Sequence, residues 1–204
     1  MWLKMSWPLR KTLLIAALVA MPVLLLINGC SQSRANRNPT GERFPIVKGQ
    51  SLDGKSMQLP DALSGEPAVL LIGYKKSAQF DIDRWLMGLI QADVGVQIIE
   101  IPIIPGLSAS VASKWIDEGM RAGIPKEDWG SVVTVYGNAA KPIADLTGTE
   151  KGQLARIMVL NREGKIIWFD DKGYAARKAL EVAAIVAGQE QSSTRNPDET
   201  AVAP

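Results

Sequence analysis

The chain has 204 residues, with 23 basic and 21 acidic side chains and a net charge of +2 at pH 7. This balance excludes the strongly basic surface that nucleic-acid-binding domains carry. The chain also contains one cysteine and no histidine, which excludes an intrachain disulfide, a Cys/His zinc site and a Ser-His-Asp triad. We expect no cofactor.

Residues 1–29 are typical of a secretory signal peptide. Three basic residues, Lys4, Arg10 and Lys11, precede an apolar run over residues 13–27. A basic start followed by a short apolar stretch is the anatomy of an export signal. The run is shorter than the roughly 20 apolar residues of a membrane span. Loss of the three basic residues on cleavage would leave a mature chain that is near neutral.

The residues before Cys30, Ile27-Asn28-Gly29, resemble the lipobox of bacterial lipoproteins. The resemblance implies cleavage before Cys30, a diacylglyceryl group on its sulfur, and a fatty acid such as palmitate on its amino group. Two or more such chains give stable membrane anchoring. The alternative is an uncleaved signal anchor in which Cys30 is an idle thiol. Both hypotheses place the domain on the extracytoplasmic face of the bacterial envelope, in the periplasm of a diderm host, and the non-acidic Ser31 is compatible with the outer membrane.

Two polar segments flank a single predicted domain. Residues 30–43 are predicted to be the lipidated cysteine and a flexible tether, and residues 189–204 a disordered tail, because both lack apolar periodicity. Residues 44–188 have the length of one domain with its own core.

The first half of the domain alternates strands with helices. Asp53-Gly54 predicts a hairpin turn, residues 68–74 a buried strand, and residues 96–104 a second one. Apolar residues at three- and four-residue spacing predict a helix after each buried strand. The predicted core positions of these two helices are Ile82, Trp85, Leu86, Leu89, Ile90, Leu107, Val111, Trp115, Ile116 and Met120.

The second half adds a strand within residues 131–137, a short helix over 138–146 and two strands joined by the turn at Asn161–Gly164. A last helix is predicted from Tyr174 to Ala187, ending at Gly188. Strands that alternate with helices indicate an α/β class.

This order of elements resembles the thioredoxin fold, a three-layer sandwich with a central mixed sheet. Residues 131–146 resemble the strand and helix insertion of peroxiredoxin-type members. The blocks Ser77-Ala78, Trp85, 96–101 and the hairpin at Gly164 also resemble the mitochondrial ATP synthase assembly factor family numbered ten. That resemblance implies a protein that assists assembly of a membrane complex and is not a redox enzyme.

The residues of thioredoxin-type redox chemistry are absent from the positions where the resemblance places them. A reactive cysteine would stand where the first buried strand meets its helix, but residues 74–80 contain none. The proline of that fold would precede the strand of the late hairpin, but Leu154-Ala155-Arg156 contains none. The sequence therefore predicts a protein that is not a thiol oxidoreductase, and we expect no enzymatic activity.

The same corner supplies the candidate binding residues, Lys75, Lys76, Ser77 and Gln79. A helix start and two cations favour anions or lipid headgroups, and a Ser-Lys pair is a known nucleophile arrangement. The alternative interpretation is a solvated helix entry with Ser77 as the N-cap.

Other residues are weaker candidates for a functional role. Glu100 lies within an apolar strand, and we expect it at a strand end facing water or paired with a cation. The acids Asp170-Asp171 are interpreted as a turn entrance, and among the tryptophans only Trp129 is expected to be exposed, Trp115 and Trp168 being assigned to the core.

We expect a lipid-anchored, non-redox thioredoxin-like protein that binds or assembles an envelope membrane protein complex. The alternatives are a small-ligand binder or diverged enzyme that uses the Lys75–Gln79 corner, and a structural lipoprotein without a specific partner.

Overall fold

Seven strands form one mixed sheet in the part of the chain that the structure describes. This computed structural model describes residues 33–104 and 109–194, and from Arg34 onward they belong to one compact unit. The predicted signal peptide, Cys30 and residues 195–204 lie outside the described residues. None of the helices among the described residues is long and apolar enough to cross a bilayer.

The strands lie in the order β2-β1-β5-β4-β3-β6-β7. The central strands β3, β4 and β5 are parallel, and the hairpins β1–β2 and β6–β7 pair antiparallel at the two sides. Their bounds are β1 Val47–Ser51, β2 Ser56–Leu59, β3 Ala68–Gly73, β4 Gln97–Ile104, β5 Val133–Tyr136, β6 Arg156–Leu160 and β7 Ile166–Asp170. The predicted α/β class, with both hairpins and the two buried strands, is confirmed.

Apolar side chains alternate between the two faces of the sheet and build a core on each. Val69 and Leu71 of β3 lie on one face, and Leu70 and Ile72 lie on the other. Every residue of β3 is buried, because the strand is central and covered on both sides.

Four helices cover these faces among the described residues: α1 Gln79–Gln91, α2 Ala109–Arg121, α3 Lys141–Thr147 and α4 Ala176–Thr194. Helices α1 and α4 pack on the face of Val69 and Leu71, and α3 packs on the other face. Asp117 of α2 accepts a 2.5 Å hydrogen bond from the Tyr136 hydroxyl. Tyr136 points away from the α3 side, where its neighbour Val135 packs, so α2 lies on the same side of the sheet as α1. We call this side the helical face.

The prediction that Trp115 belongs to the core is wrong. Its side chain is 81% exposed, whereas Asp117 of the same helix is buried. The two residues are about 200° apart around an α-helix, so only one of them can face the sheet. Tyr136 gives the Asp117 carboxylate a buried partner, and Trp115, on the other side of α2, therefore faces solvent. Ile90 of α1, also assigned to the core, is exposed as well. Leu107, also assigned to the core, lies outside the described residues.

Two further predictions are corrected by the packing. Trp129 is half-buried, because its Nε1 donates to the Ile124 carbonyl and Arg121 covers its ring. The last helix does not end at Gly188 but continues to Thr194. Gly188 is exposed and lies in helical backbone with open space around it, and a helix tolerates one such glycine at a cost of about 1 kcal/mol.

Candidate functional site

The predicted binding corner lies at one edge of the sheet, which we call the carboxyl edge. Strands β3, β4 and β5 are parallel, so their carboxyl ends meet there. The edge consists of the segment 74–79 after β3, the turn Gly137–Ala140 after β5, and residues 154–156, where the antiparallel β6 begins. Helices α1 and α2 both start from this edge.

All four predicted site residues, Lys75, Lys76, Ser77 and Gln79, lie together on this edge and are exposed. The Lys75 methylenes extend over Gly152, where an added Cβ would lie 3.2 Å from Lys75 Cε. Ser77 is not an N-cap, because it lies inside the short 3-10 turn Lys76–Ala78, and α1 begins after Ala78 without a side-chain cap.

Gln79 connects the exposed corner with a buried acid. Its Nε2 donates to Asp83 Oδ1 over 2.9 Å, and Gln79 is near enough to Glu100 on β4 to influence that carboxyl. Glu100 is only 9% exposed, so the expectation of a water-facing strand end is wrong. Burial raises the pKa of Glu100 above its usual value, while the Gln79 side chain offsets part of that rise and the nearby Asp83 adds to it.

Arg156, at the start of β6, fills the interior of the carboxyl edge and was missed by sequence reasoning. The residue is 0% exposed. One terminal nitrogen donates to the carbonyls of Leu154 (2.7 Å) and Lys151 (3.3 Å), and the other donates to the Glu150 carbonyl and to Asn36 Oδ1 (2.8 Å). Burial lowers the pKa of this guanidinium, which nonetheless remains charged at neutral pH.

Tyr74 lies against the Arg156 guanidinium. The Arg156 Cζ is 5.3 Å from the Tyr74 ring centroid, a cation–π distance. The Tyr74 hydroxyl forms a 2.7 Å hydrogen bond with Thr147 Oγ1 on α3. Burial raises the pKa of Tyr74 to about 12. A single arginine at the start of a strand gives no clear sign in the sequence that it is buried. Only its contacts in the folded chain show this.

The prediction of a flexible tether is wrong from Arg34 onward. Residues 34–44, which we call the strap, are held along β7 and α3. The Arg34 N–H donates to Thr149 Oγ1 over 2.9 Å, the Thr149 and Glu150 N–H groups donate to the Arg34 carbonyl, and Arg34 Nε lies 2.6 Å from Asp145 Oδ1. Further contacts along the strap join Asn36 to Asp171, Gly41 and Glu42 to Ile166, and Phe44 to Gly164. These partners lie far away in sequence, which is why local composition did not predict them.

Asp81 contacts the segment where the proline of the thioredoxin fold would stand. Its Oδ2 accepts the Ala155 N–H over 3.0 Å, and its Oδ1 accepts the Tyr174 N–H over 2.9 Å. Asp81 is buried on the first turn of α1. A proline at position 155 would have no N–H to donate, so the structure uses Ala155 there for a hydrogen bond that links α1 to β6.

The chemistry available at this edge is therefore polar and lacks a thiol. The described residues contain no group of three His, Cys, Asp or Glu side chains that could hold a metal ion. A cleft of about 240 Å³ lined by described residues, including Pro60 and Arg162, lies at the opposite edge, beside the β6–β7 turn. Asp170, interpreted as part of a turn entrance, instead forms a largely buried 2.7 Å ion pair with Lys178 of α4.

Large apolar side chains stand exposed on the helical face. Phe80 (72% exposed), Met87 and Ile90 lie on α1, Trp115 on α2 and Leu180 on α4. Isolated exposed apolar residues are ordinary, but several on one side of a domain are typical of a protein-binding surface. Among the described residues, the one other exposed large apolar side chain is Ile46, which lies outside these helices.

Comparison with solved structures identifies the fold. The chain is similar to a candidate protein disulfide isomerase from Bacteroides thetaiotaomicron, with a TM-score of 0.52, 17% identity, and coverage of 79% of this chain and 97% of that chain. It is also similar to a SCO1/SenC family lipoprotein from Bacillus anthracis, with a TM-score of 0.50, 14% identity, and coverage of 75% and 99%. A candidate electron transfer protein from Aquifex aeolicus gives a TM-score of 0.50, 16% identity, and coverage of 77% and 99%.

These similarities establish the fold and nothing finer. No family model matches the chain, and no curated protein matches it. The resemblance to the ATP synthase assembly factor family therefore stays a hypothesis. The seven-stranded mixed sheet with helices on both faces is a thioredoxin-like α/β fold, as the element order predicted.

Proposed function

We propose that this chain is a lipid-anchored, non-redox thioredoxin-like protein that binds another protein of the bacterial envelope during assembly of a membrane complex. The observation that carries the proposal is the exposed apolar set on the helical face, headed by Phe80 and Trp115. Burial of one such side chain at an interface contributes about 1.5–3 kcal/mol, so a few suffice to hold a partner.

The carboxyl edge supports a binding role over a catalytic one. The segment 74–80 has no thiol, and Arg156 with Asn36 and Tyr74 fills the space behind it. The charge of Arg156 is used for hydrogen bonds within the fold, which holds the edge in one conformation. These contacts stabilise the fold around the edge, and none of them activates a side chain as a nucleophile.

The location of the protein rests on its first thirty residues. The export signal and the lipobox before Cys30 would place the domain outside the cytoplasm on a lipid anchor. An assembly role requires this location, because the protein must reach a partner that lies in the same membrane.

Capture of the partner tests the proposal. The tagged protein is crosslinked briefly in its own host, purified and analysed by mass spectrometry alongside Phe80→Ser/Trp115→Ser and Cys30→Ala variants. The matched control is Ile46→Ser, which removes an equally exposed apolar side chain away from the helical face. We expect one membrane complex to be captured by the natural protein and the control, and lost in both other proteins.

Surface substitutions of this kind change the free energy of unfolding by less than about 0.5 kcal/mol, so a loss of capture would reflect binding. Equal capture by all variants, or none with well-expressed acylated protein, would contradict the proposal.

The second candidate function is a small-ligand site at Lys75–Gln79, and Glu100 favours it. A buried acid with a raised pKa next to an exposed polar corner is a common feature of functional sites. Amide NMR shifts on addition of small metabolites would distinguish the two candidates. Shifts confined to residues 74–79 and Glu100, and lost in Glu100→Gln, would support this second function.

A further inference from the structure

The strap shortens the connection between the lipid anchor and the fold. The first strap residue, Arg34, is held by backbone hydrogen bonds to Thr149 and Glu150 and by an ion pair with Asp145. It follows Cys30 by four residues. Four residues of extended chain span at most about 14 Å, whereas a free tether from Cys30 to Phe44 would span about 50 Å. An anchor at Cys30 therefore keeps the Arg34 region close to the lipid.

Cationic side chains surround the point where the strap begins. Asp145 pairs with both Arg34 (2.6 Å) and Lys141 (2.5 Å). Lys151 follows Glu150 directly, and the next residue, Gly152, lies beneath the Lys75 side chain. These contacts join one continuous surface. Its cations are the half-buried Arg34 and the exposed Lys75, Lys76, Lys141 and Lys151, and its exposed acids are Asp145, Glu150 and Asp83, the partner of Gln79.

We propose that this surface, the carboxyl edge together with the start of the strap, lies against the membrane and contacts anionic phospholipid headgroups. The proposal rests on the lipid anchor of the proposed function. Five cations against three acids leave an excess of positive charge that complements an anionic bilayer, and screening leaves such contacts effective within about 8 Å at physiological salt. The four candidate residues of the corner would thus meet lipid and not a soluble ligand.

This orientation would also bring the partner-binding surface close to the membrane. Helices α1 and α2 start at the carboxyl edge, so Phe80, the second residue of α1, lies near the membrane. A partner embedded in the same bilayer could reach it there without leaving the lipid.

Lysine reactivity on vesicles tests the orientation. The acylated full-length product is purified from its host, its acylation is confirmed by intact mass, and it is reconstituted into vesicles of phosphatidylcholine with or without phosphatidylglycerol. An amine acetylating reagent is added, and each lysine is quantified by peptide mass spectrometry. Lys55 and Lys165 are internal references, because both are exposed at the opposite edge of the sheet.

We expect the reactivity of Lys75, Lys76, Lys141 and Lys151 to fall about five-fold on anionic vesicles, because the attraction of each lysine to the anionic surface shields its amine from the reagent to about this extent. The reactivity of Lys55 and Lys165 should not change. The matched variant carries a flexible glycine-serine insertion of about twenty residues between Ser33 and Arg34, which leaves the strap intact. It should recover most of the lost reactivity.

The outcomes separate the two proposals. An acylated protein labelled evenly at both edges would overturn the orientation and leave the proposed function standing. Protection that persists on phosphatidylcholine alone, or survives the insertion, would also overturn it. A product without acyl chains would overturn the anchor itself, and the orientation with it.

Discussion

Removal of the Asp81 carboxylate should destabilise the fold strongly while leaving its surface unchanged. The side chain accepts hydrogen bonds from the Ala155 and Tyr174 N–H groups over 3.0 and 2.9 Å, and it is buried. A hydrogen bond to a charged group contributes about 1.5–3 kcal/mol, so Asp81→Ala would lose about 3–6 kcal/mol. The better helix propensity of alanine returns about 0.5 kcal/mol. We therefore expect a net loss of about 3–5 kcal/mol.

The assay is urea denaturation followed by tryptophan fluorescence. Trp85 is a good reporter, because it is fully buried and packs edge to face against Trp168 and Tyr174. Asp81→Asn keeps one acceptor oxygen and should lose about half as much. The matched control is Asp83→Ala, on the exposed side of the same helix, which should change stability by less than about 0.5 kcal/mol.

A loss below about 1 kcal/mol for Asp81→Ala would refute the reasoning, because the buried Ala155 N–H and the partly buried Tyr174 N–H cannot both lose their acceptor at so small a cost. A similar loss for Asp83→Ala would show that any carboxylate near the start of α1 stabilises the fold, and not the link from α1 to β6.

Three further outcomes follow from the buried polar groups. Lys178→Met should cost about 3–5 kcal/mol in urea denaturation, because Asp170 is left buried and unpaired, and the double variant with Asp170→Leu should recover most of it; no recovery would contradict the pairing. Because the pKa of Glu100 is raised from 4.5 in the folded state, its contribution to stability is complete below pH 4.5 and is lost as the pH rises through the folded pKa. Unfolding measured across pH should therefore show Glu100→Gln gaining on the natural protein as the pH rises, and parallel curves would count against a buried carboxyl. Since burial raises the pKa of Tyr74 from 10 to about 12, stability should fall between these pH values, and Tyr74→Phe should flatten that fall in alkaline titrations; an unchanged slope would contradict it.

The strands of the sheet were predictable from the sequence because the residue patterns that indicate them are local. A central strand covered on both faces needs a mostly apolar run. Residues 68–73 supply an unbroken one, and residues 97–104 supply one interrupted by Glu100. The β1–β2 turn needs a residue with positive φ, which Gly54 provides at φ 91°. The lack of a cysteine in residues 74–80 is likewise read directly from the sequence, and the absence of thiol redox activity stays a prediction from it.

Predictions of burial made from the apolar face of a helix were right at some positions and wrong at others, depending on how the helix packs on the sheet. Trp85 and Leu89 are buried as predicted, but Ile90 and Trp115 are exposed. A helical repeat shows which apolar residues share a face, not whether the sheet covers that face. On α2 the Tyr136 hydroxyl decided the outcome, because it makes burial of Asp117 favourable.

The sequence by itself determined the order of strands and helices along the chain, the single cysteine and the lack of a cysteine in residues 74–80, and it predicts the export signal. Only the tertiary structure decided that residues 34–44 are a strap, that Arg156 fills the carboxyl edge and that the large exposed apolar residues stand on one helical face. The physical reason is sequence separation. Arg156 and Asn36 are 120 residues apart, and Arg34 and Thr149 are 115 apart, so their hydrogen bonds exist only once the sheet has brought both ends of the domain to one edge.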